Sequence, residues 1–436
     1  MPTQSPSVTI VGAGISGLAC AYWLGQLMPG ISLRLLERAD RGGGIIRTYK
    51  LSEFCLETGP DCFMCLGPDF IEMCRSLGLE SHLMPARSQR GVYLWDGHNP
   101  LEIIPGLQMG LTGQPWMALL CPDLSPLGKL RAALQGLIPE AADPDEGLGP
   151  YVRRRLQADF AKELPTPLSP GLFSADPHEP GLADSFPHFA VYRQEVDTRH
   201  EELTFHSFRG GMQILVDHLA ETVQTNMHTG VSVRQILSGE KGWEVVSEDS
   251  RRWHSDVLVV ALPRAATAGL LGSLDGPLAS KLSESGSVSG ACVYLGFEPT
   301  HIHLPLDGYG FVSQDLAARP VVACTWGPSQ QGVLLRTYLR DIDSLSSETL
   351  IEQTLDCLRP LLAIDEAPLI SHVERYHQAF PKYHVGDIAQ VAELEEMRQR
   401  HPGLYWTGPA FGVAGIPACV QHARRIAEDI LQSIRS

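Results

Sequence analysis

The apolar pattern changes period several times along the chain. Residues 7–11 (SVTIV) form a short β-branched run, and directly after it Ile15, Leu18, Ala19 and Tyr22 recur at i, i+3, i+4 and i+7, the spacing of one helix face. A second strand over 33–36, in SLRLLE, ends at Glu37, so the opening predicts a β-α-β unit. Between about 100 and 190 the texture shifts to Gly, Pro and Leu around an acidic patch (PEAADPDEG), followed by Pro165, Pro167, Pro170, Pro177, Pro180 and Pro187. That spacing favours short helices and turns over long strands. Strands return in GVSVRQIL, WEVVSED and DVLVVALP, and again in ACVYLGFE, GYGFVS, VVACTW and VLLRTYL. A closing helix takes its apolar face from Ala423, Ile426, Ala427, Ile430, Leu431 and Ile434. No repeat of 20–50 residues is visible.

Composition narrows the classes. The 436 residues predict two to four domains at roughly 150 residues each. A net charge of −16 repels phosphate backbones, so nucleic acid is not an expected partner. No stretch of 18 uncharged apolar residues occurs, which predicts no membrane-spanning helix. The opening MPTQSPSVTIVGAG has neither a basic n-region nor an Arg-rich leader, and predicts a cytoplasmic chain. The ten cysteines fall mostly inside apolar runs and predict reduced, buried thiols. Cys62 and Cys65 form a CxxC, but Cys55 and Cys74 lie too far off to complete two tight pairs, so no metal is expected.

The chemistry concentrates at Gly12-Ala13-Gly14-Ile15-Ser16-Gly17, between the first strand and helix, with Glu37 twenty residues beyond the last glycine. Gly12 permits the tight turn, Gly14 lets backbone approach a pyrophosphate, and Gly17 lets helix pack on strand. The helix N-terminus offers free N–H groups to phosphate, and Glu37 can accept from ribose hydroxyls. A second glycine cluster, Arg41-Gly42-Gly43-Gly44-Ile45-Ile46-Arg47-Thr48, suits a backbone passing close to a pyrophosphate or a flavin edge, with Arg41 adding charge.

These residues resemble the FAD-binding amine oxidase superfamily, whose E-x3-R-x-G-G-x3-[ST] pattern falls here on Glu37, Arg41, Gly43, Gly44 and Thr48. Further segments resemble one branch, the oxygen-dependent protoporphyrinogen/coproporphyrinogen oxidases: LETGPDCFM (56–64), FHSFRGGMQ with LVDHL (205–219), VRQIL with GWEVV, DGYGFVS (307–313), RYHQAFPKYHVGD (375–387) and GLYWTGPAFGVAGIPACV (403–420). They are collinear and cover nearly the whole chain.

The resemblance implies an α/β fold with a Rossmann-type FAD-binding domain (1–66, 203–263 and 398–436), an α+β substrate-binding domain (67–105 and 264–397), and a helical, membrane-associated subdomain (106–202). It implies FAD held by the 12–17 turn, by Glu37, Arg38, Arg41, Gly43, Gly44 and Ile45, by Gly59, Pro60, Asp61 and Cys62, by Val233, and by Gly408, Ala414, Gly415 and Ile416. Backbone N–H groups at the last helix, which carries Pro417 in its first turn, would face the flavin pyrimidine edge. It implies a six-electron oxidation of protoporphyrinogen IX or coproporphyrinogen III in three FAD-mediated steps, with O2 as oxidant and H2O2 released. Asp61 is the candidate near the reactive ring, with a turn residue as the plain reading, and Arg90 the candidate for a propionate. His200, His206, His377 and His384 lie singly and read as surface or satisfied histidines. Ferrochelatase is the implied partner and the cytoplasmic membrane face the implied surface, through the apolar stretch 106–137; the chain would be a homodimer or a monomer.

Departures from the branch weigh on turnover more than on cofactor binding. Its GNAY is Gly408-Pro409-Ala410-Phe411 here, the Asp after Pro417 is Ala418, Gly91 stands where many relatives carry Arg, and the segment between Phe189 and Phe205 is shorter. Two alternatives therefore stand beside the oxidase: a catalytically weakened flavin-binding relative, and another flavin oxidase acting on amines or carotenoid precursors, although the aromatics near the last motif, Trp406 and Phe411 among them, do not spell out the cage an amine needs.

Overall fold

The computed structural model describes residues 6–64, 68–85, 93–95, 100–102, 107–108, 111–112, 205–239, 242–284, 286–304, 306, 310–313, 320–328, 332–340, 342–381, 387–413 and 415–435. The strand β1 (Ser7–Val11), helix α1 (Ile15–Leu27) and strand β2 (Ser32–Leu36) form the expected β-α-β opening. β1 is central in a five-stranded parallel sheet of order Met227–His228, β2, β1, Val257–Val260 and Leu404–Trp406. Alternation divides its residues: Val8, Ile10, Leu33, Leu35, Val257 and Val259 pack into one core, and Val11, Leu36, Leu258 and Val260 into another. Both faces are covered, which is why the strands read as near-continuous apolar runs.

On the second face lie the antiparallel strands Val233–Gly239, Gly242–Ser247 and Arg252–Ser255, with the helices Arg264–Leu271 and Gly276–Glu284. A short hairpin of β3 (Thr48–Leu51) and β4 (Phe54–Glu57) follows the first unit. Helix α2 (Gln213–Thr222) puts Leu215, Val216 and Leu219 into the same core as α1.

A seven-stranded sheet forms the other half. Three long strands, β5 (Ser287–Phe297), β6 (Val333–Arg340) and β7 (Ile370–Pro381), run in the order β7-β5-β6, followed by Val321–Pro328, Gly310–Ser313, Tyr93–Trp95 and Pro100–Glu102. All neighbours are antiparallel except Gly310–Ser313 with Tyr93–Trp95. Period two again assigns the faces. Ala291, Val293, Leu295 and Phe297 meet the helix Ser347–Leu362, whereas Cys292 and Tyr294, with Tyr338 and Tyr376, meet Phe54 and Leu56 of β4. Gly296 makes room for that hairpin, because a Cβ there would lie 2.7 Å from the Phe54 ring.

The last helix, α3 (Ile416–Arg435), buries Val420, Ala423, Ala427 and Ile430 against α1. Its Arg424 reaches Asp69 at 2.9 Å and Glu72 at 2.8 Å on the helix Pro68–Ser76, which sits in the same core. α1 is buried on all sides along Ser16–Leu24, hence its lack of a polar stripe. The stretch expected to be a helical subdomain, 106–202, lies outside the described residues apart from 107–108 and 111–112, which pair as antiparallel strands. Among the described residues no helix is long and apolar enough to cross a membrane.

Candidate active site

Two of the first three glycines are demanded by the fold and one is not. Gly12 has φ +101°, and a Cβ on it would lie 2.5 Å from the Ala261 carbonyl oxygen. A Cβ on Gly17 would come within 1.9 Å of the Gly12 oxygen, so α1 can start this close to β1 only without a side chain there. Gly14 has ordinary extended backbone, φ −67° and ψ −179°, and its Cβ direction meets nothing within 4 Å. No side chain caps α1 and no acid occupies its first turn. The helix therefore presents uncompensated N–H groups beside an open space, the arrangement an anion fills.

The second glycine cluster is tied to this turn. Gly43 N donates to the Ala13 oxygen at 2.7 Å, and Gly14 bridges Gly43. Glu37 is fixed from two sides: Oε2 accepts from Ala13 N at 2.7 Å and Oε1 from Ala39 N at 2.9 Å, leaving lone pairs for hydroxyl donors. Val231 N donates to the Glu37 oxygen, which leads the chain into Val233 at the start of its strand. The Arg41 guanidinium turns back on its own loop, donating to the oxygens of Gly42, Gly44 and Ile46. Arg38 and Gly44 are exposed, and Ile45 is 49% exposed, an uncovered apolar side chain at the mouth of the turn.

A third segment closes the wall. Thr58 N donates to the Arg47 oxygen at 2.9 Å, and a Cβ on Gly59 would lie 2.6 Å from the Ile45 oxygen, so Glu57–Asp61 lies flat on the second glycine turn. Pro60 and Cys62 are half-buried there. The Asp61 side chain is 34% exposed, and Arg336 Nη1 stands 3.3 Å behind its Oδ1. Burial lifts the Glu57 carboxyl to about 7, against the N–H of Met212, the Thr48 hydroxyl and the Arg336 charge, with Asp61 adding to the rise. Its oxygens accept from Thr48 Oγ1 at 3.0 and 3.1 Å and from Met212 N at 3.1 Å.

The C-terminal motif comes in beside α1. Gly408 has φ +124° and a Cβ direction 3.3 Å from Ser16 Oγ, while Gly415 (φ +86°) faces open space. Ile416 is buried, and Ile15 packs against Val413, Ala418 and Cys419. Trp406 and Phe411 stack on each other at 4.8 Å and 2°, buried in the sheet core, so they build no aromatic cage. Among the described residues no group of three or more His, Cys, Asp and Glu could hold a metal. Arg90, Ala414, His200 and His384 lie outside the described residues; His206 is half-buried against Phe63, and His377 is exposed.

Sequence reasoning missed Arg336, Tyr294 and Tyr376. Arg336 is only 8% exposed, and its signal was legible: an arginine inside an apolar strand must find partners, because a buried charge without them is prohibitively costly.

An uncapped helix end, an open Gly14, a pre-oriented Glu37 and an exposed Ile45 fit a dinucleotide that continues past the pyrophosphate to a ring system, as FAD does. The family model for flavin containing amine oxidoreductase matches residues 15–431. The chain belongs to that family. It is an FAD-dependent oxidoreductase. Among curated relatives it is similar to coproporphyrinogen III oxidase of Bacillus subtilis (strain 168), 28% identical with 97% of each chain covered. It is also similar to protoporphyrinogen oxidase of Homo sapiens, 26% identical with 98% of each covered. In fold it is similar to a crystal structure from Exiguobacterium sp. 255-15 assigned to protoporphyrinogen oxidase, at TM-score 0.84, 24% identity and full coverage of both chains.

Proposed function

We propose that the chain oxidises a porphyrinogen to the porphyrin in haem biosynthesis, with FAD as cofactor and O2 as terminal oxidant. The full-length similarity to relatives named coproporphyrinogen III oxidase and protoporphyrinogen oxidase carries this reading. When bound, FAD supplies the acceptor for two electrons at a time; the protein supplies orientation, exclusion of water and charge.

In this reading the Gly12–Gly17 backbone and the N-terminus of α1 hold the pyrophosphate, and Glu37 holds the ribose. The exposed side of Gly44 and Ile45, the Gly59–Cys62 segment and the start of α3 flank the ring. Asp61 presents its carboxylate to the substrate, where positive charge grows on the macrocycle as a hydride leaves; a fixed carboxylate stabilises that charge. Arg90 takes a propionate. The first parallel sheet belongs to the cofactor half and the seven-stranded sheet to the substrate half. A cytoplasmic location, contact with a membrane surface through 106–137 and hand-over of product to ferrochelatase are parts of the same proposal.

The test is anaerobic mixing of the flavin-loaded protein with protoporphyrinogen IX and coproporphyrinogen III separately, following flavin absorbance. Bleaching by one, with colour and porphyrin fluorescence returning in air, is expected and identifies the preferred ring. A tightly held flavin that neither compound bleaches would overturn the proposal and leave a cofactor-holding relative without this turnover.

A further inference from the structure

Three consecutive backbone carbonyls at the edge of the candidate site are each captured by a side chain from a different long strand. Tyr294 of β5 donates to the Glu57 oxygen at 2.6 Å, Tyr376 of β7 donates to the Thr58 oxygen, and Arg336 Nη2 of β6 donates to the Gly59 oxygen. In a strand, successive carbonyls point to opposite edges. Here the chain leaves β4 at Glu57, and all three turn toward one face of the seven-stranded sheet. Arg336 does more than its two neighbours. Its Nη1 sits 3.3 Å from Asp61 Oδ1, and its guanidinium lies over the rings of Tyr338 (4.8 Å) and Tyr294 (5.9 Å). It is the one of the three that joins backbone and carboxylate of the same segment.

The opposite side of that segment rests on the glycine turn: Gly59 against the Ile45 oxygen, and Thr58 N on the Arg47 oxygen. Residues 57–61 are thus held between cofactor turn and substrate sheet, and Asp61 is the side chain that this grip leaves partly open. We propose that Arg336 is a positioning residue, gripping Gly59 and Asp61 together so that the 57–61 segment lies against the flavin and the Asp61 carboxylate faces the substrate in one fixed orientation. This rests on the porphyrinogen reading for the role of Asp61; the grip on the segment beside the flavin does not.

The experiment separates the two. Arg336→Met keeps the unbranched apolar stem and removes charge and donors; Arg336→Lys keeps the charge and loses the two-pronged reach; Tyr294→Phe removes one neighbouring donor alone. With no substrate present, visible circular dichroism of the bound FAD and its dissociation constant report the segment. R336M is expected to alter the dichroism and weaken FAD at least threefold, with R336K intermediate and Y294F nearer to wild type. In anaerobic reduction by porphyrinogen, R336M is expected to lower the limiting rate at least tenfold with a smaller change in half-saturation, while photochemical reduction of the flavin stays at the wild-type rate. In an Asp61→Asn background that tenfold loss is expected to shrink below threefold, since both changes remove the same arrangement.

Unaltered dichroism and FAD affinity in R336M, or in R336K should R336M not fold, would overturn the grip on the segment. A rate loss undiminished in the D61N background would overturn action through Asp61. A wild-type protein that no porphyrinogen bleaches would count against the functional reading alone, leaving the dichroism and affinity to decide the grip.

Discussion

Gly14 and Gly17 stand three residues apart in one turn, yet the structure assigns them opposite costs, and replacing each with alanine separates folding from cofactor binding. At Gly17 a methyl would lie 1.9 Å from the Gly12 oxygen, which is backbone and cannot swing away. α1 would have to move off β1, at a cost of about 3 kcal/mol or more. At Gly14 the backbone already has dihedrals that alanine adopts, and the new methyl meets nothing. Alanine is a poorer N-cap than glycine by up to about 1 kcal/mol, and the stiffer unfolded chain returns about 0.4–1 kcal/mol. Gly14→Ala should therefore leave the unfolding temperature of the flavin-free protein within about 2 °C of wild type. The methyl projects into the space where the pyrophosphate must come close, and at least tenfold of FAD affinity, about 1.4 kcal/mol, should be lost. Thermal unfolding of stripped protein and FAD titration by flavin fluorescence measure both quantities. A G14A protein with wild-type affinity would refute the reasoning, as would a G17A protein as stable as wild type.

Glu57 titrates near 7 in the folded protein and near 4.3 when unfolded, so the folded state binds more protons in between, and stability falls as pH rises through that window. The deficit is complete above pH 7 and is on the order of 3 kcal/mol; E57Q, whose amide oxygen keeps the Thr48 and Met212 contacts, should show a shallower fall in chemical denaturation between pH 5 and 8. His422 behaves oppositely. Burial, with Arg425 nearby, lowers it to about 4 against the pull of Glu395, so stability present above its unfolded value near 6.5 is lost as pH falls toward 4. His422→Gln should blunt that acid loss, and an unchanged acid limb of the stability curve would contradict this. Gly296→Ala should cost about 1–3 kcal/mol, because its methyl meets the Phe54 ring at 2.7 Å and Ile370 at 2.6 Å, and Phe54→Ala in the same chain should recover part of that loss.

The first β-α-β unit, the glycine turn and Glu37 were legible in sequence because their signals are local. A strand, a turn and a helix occupy about thirty residues, and Gly17 answers to Gly12 inside that stretch, although Gly12 itself answers to Ala261 far along the chain. The later strands of this sheet were legible only as apolar runs: that Val257–Val260 lies beside β1 and Leu404–Trp406 beside Val257–Val260 are long-range pairings that no local period encodes. Arg41 illustrates a different limit. Its place in the motif suggested charge for a phosphate, whereas its guanidinium satisfies three carbonyls of its own turn, a use that spacing does not distinguish. Arg336 lay unread in VLLRTYL because the partners that make its burial tolerable come from residues 59 and 61, some 275 positions earlier. Trp406 and Phe411 stack on each other inside the core, a pairing that their spacing in the sequence does not reveal.

The order of strands in the parallel sheet has a consequence for synthesis. Its central strand is made first, one neighbour at 257–260 arrives much later, and the edge strand at 404–406 follows only after some 140 further residues. At about 5–20 residues per second, the glycine turn leaves the ribosome many seconds before the strands and the helix α3 that surround it. A nascent chain thus displays an FAD turn that has nothing to lean on, with the raw edge of 257–260 open beside it. Loading of the cofactor is for this topology an event that waits for the late strands, and a ribosome stalled anywhere before residue 404 should carry a colourless chain.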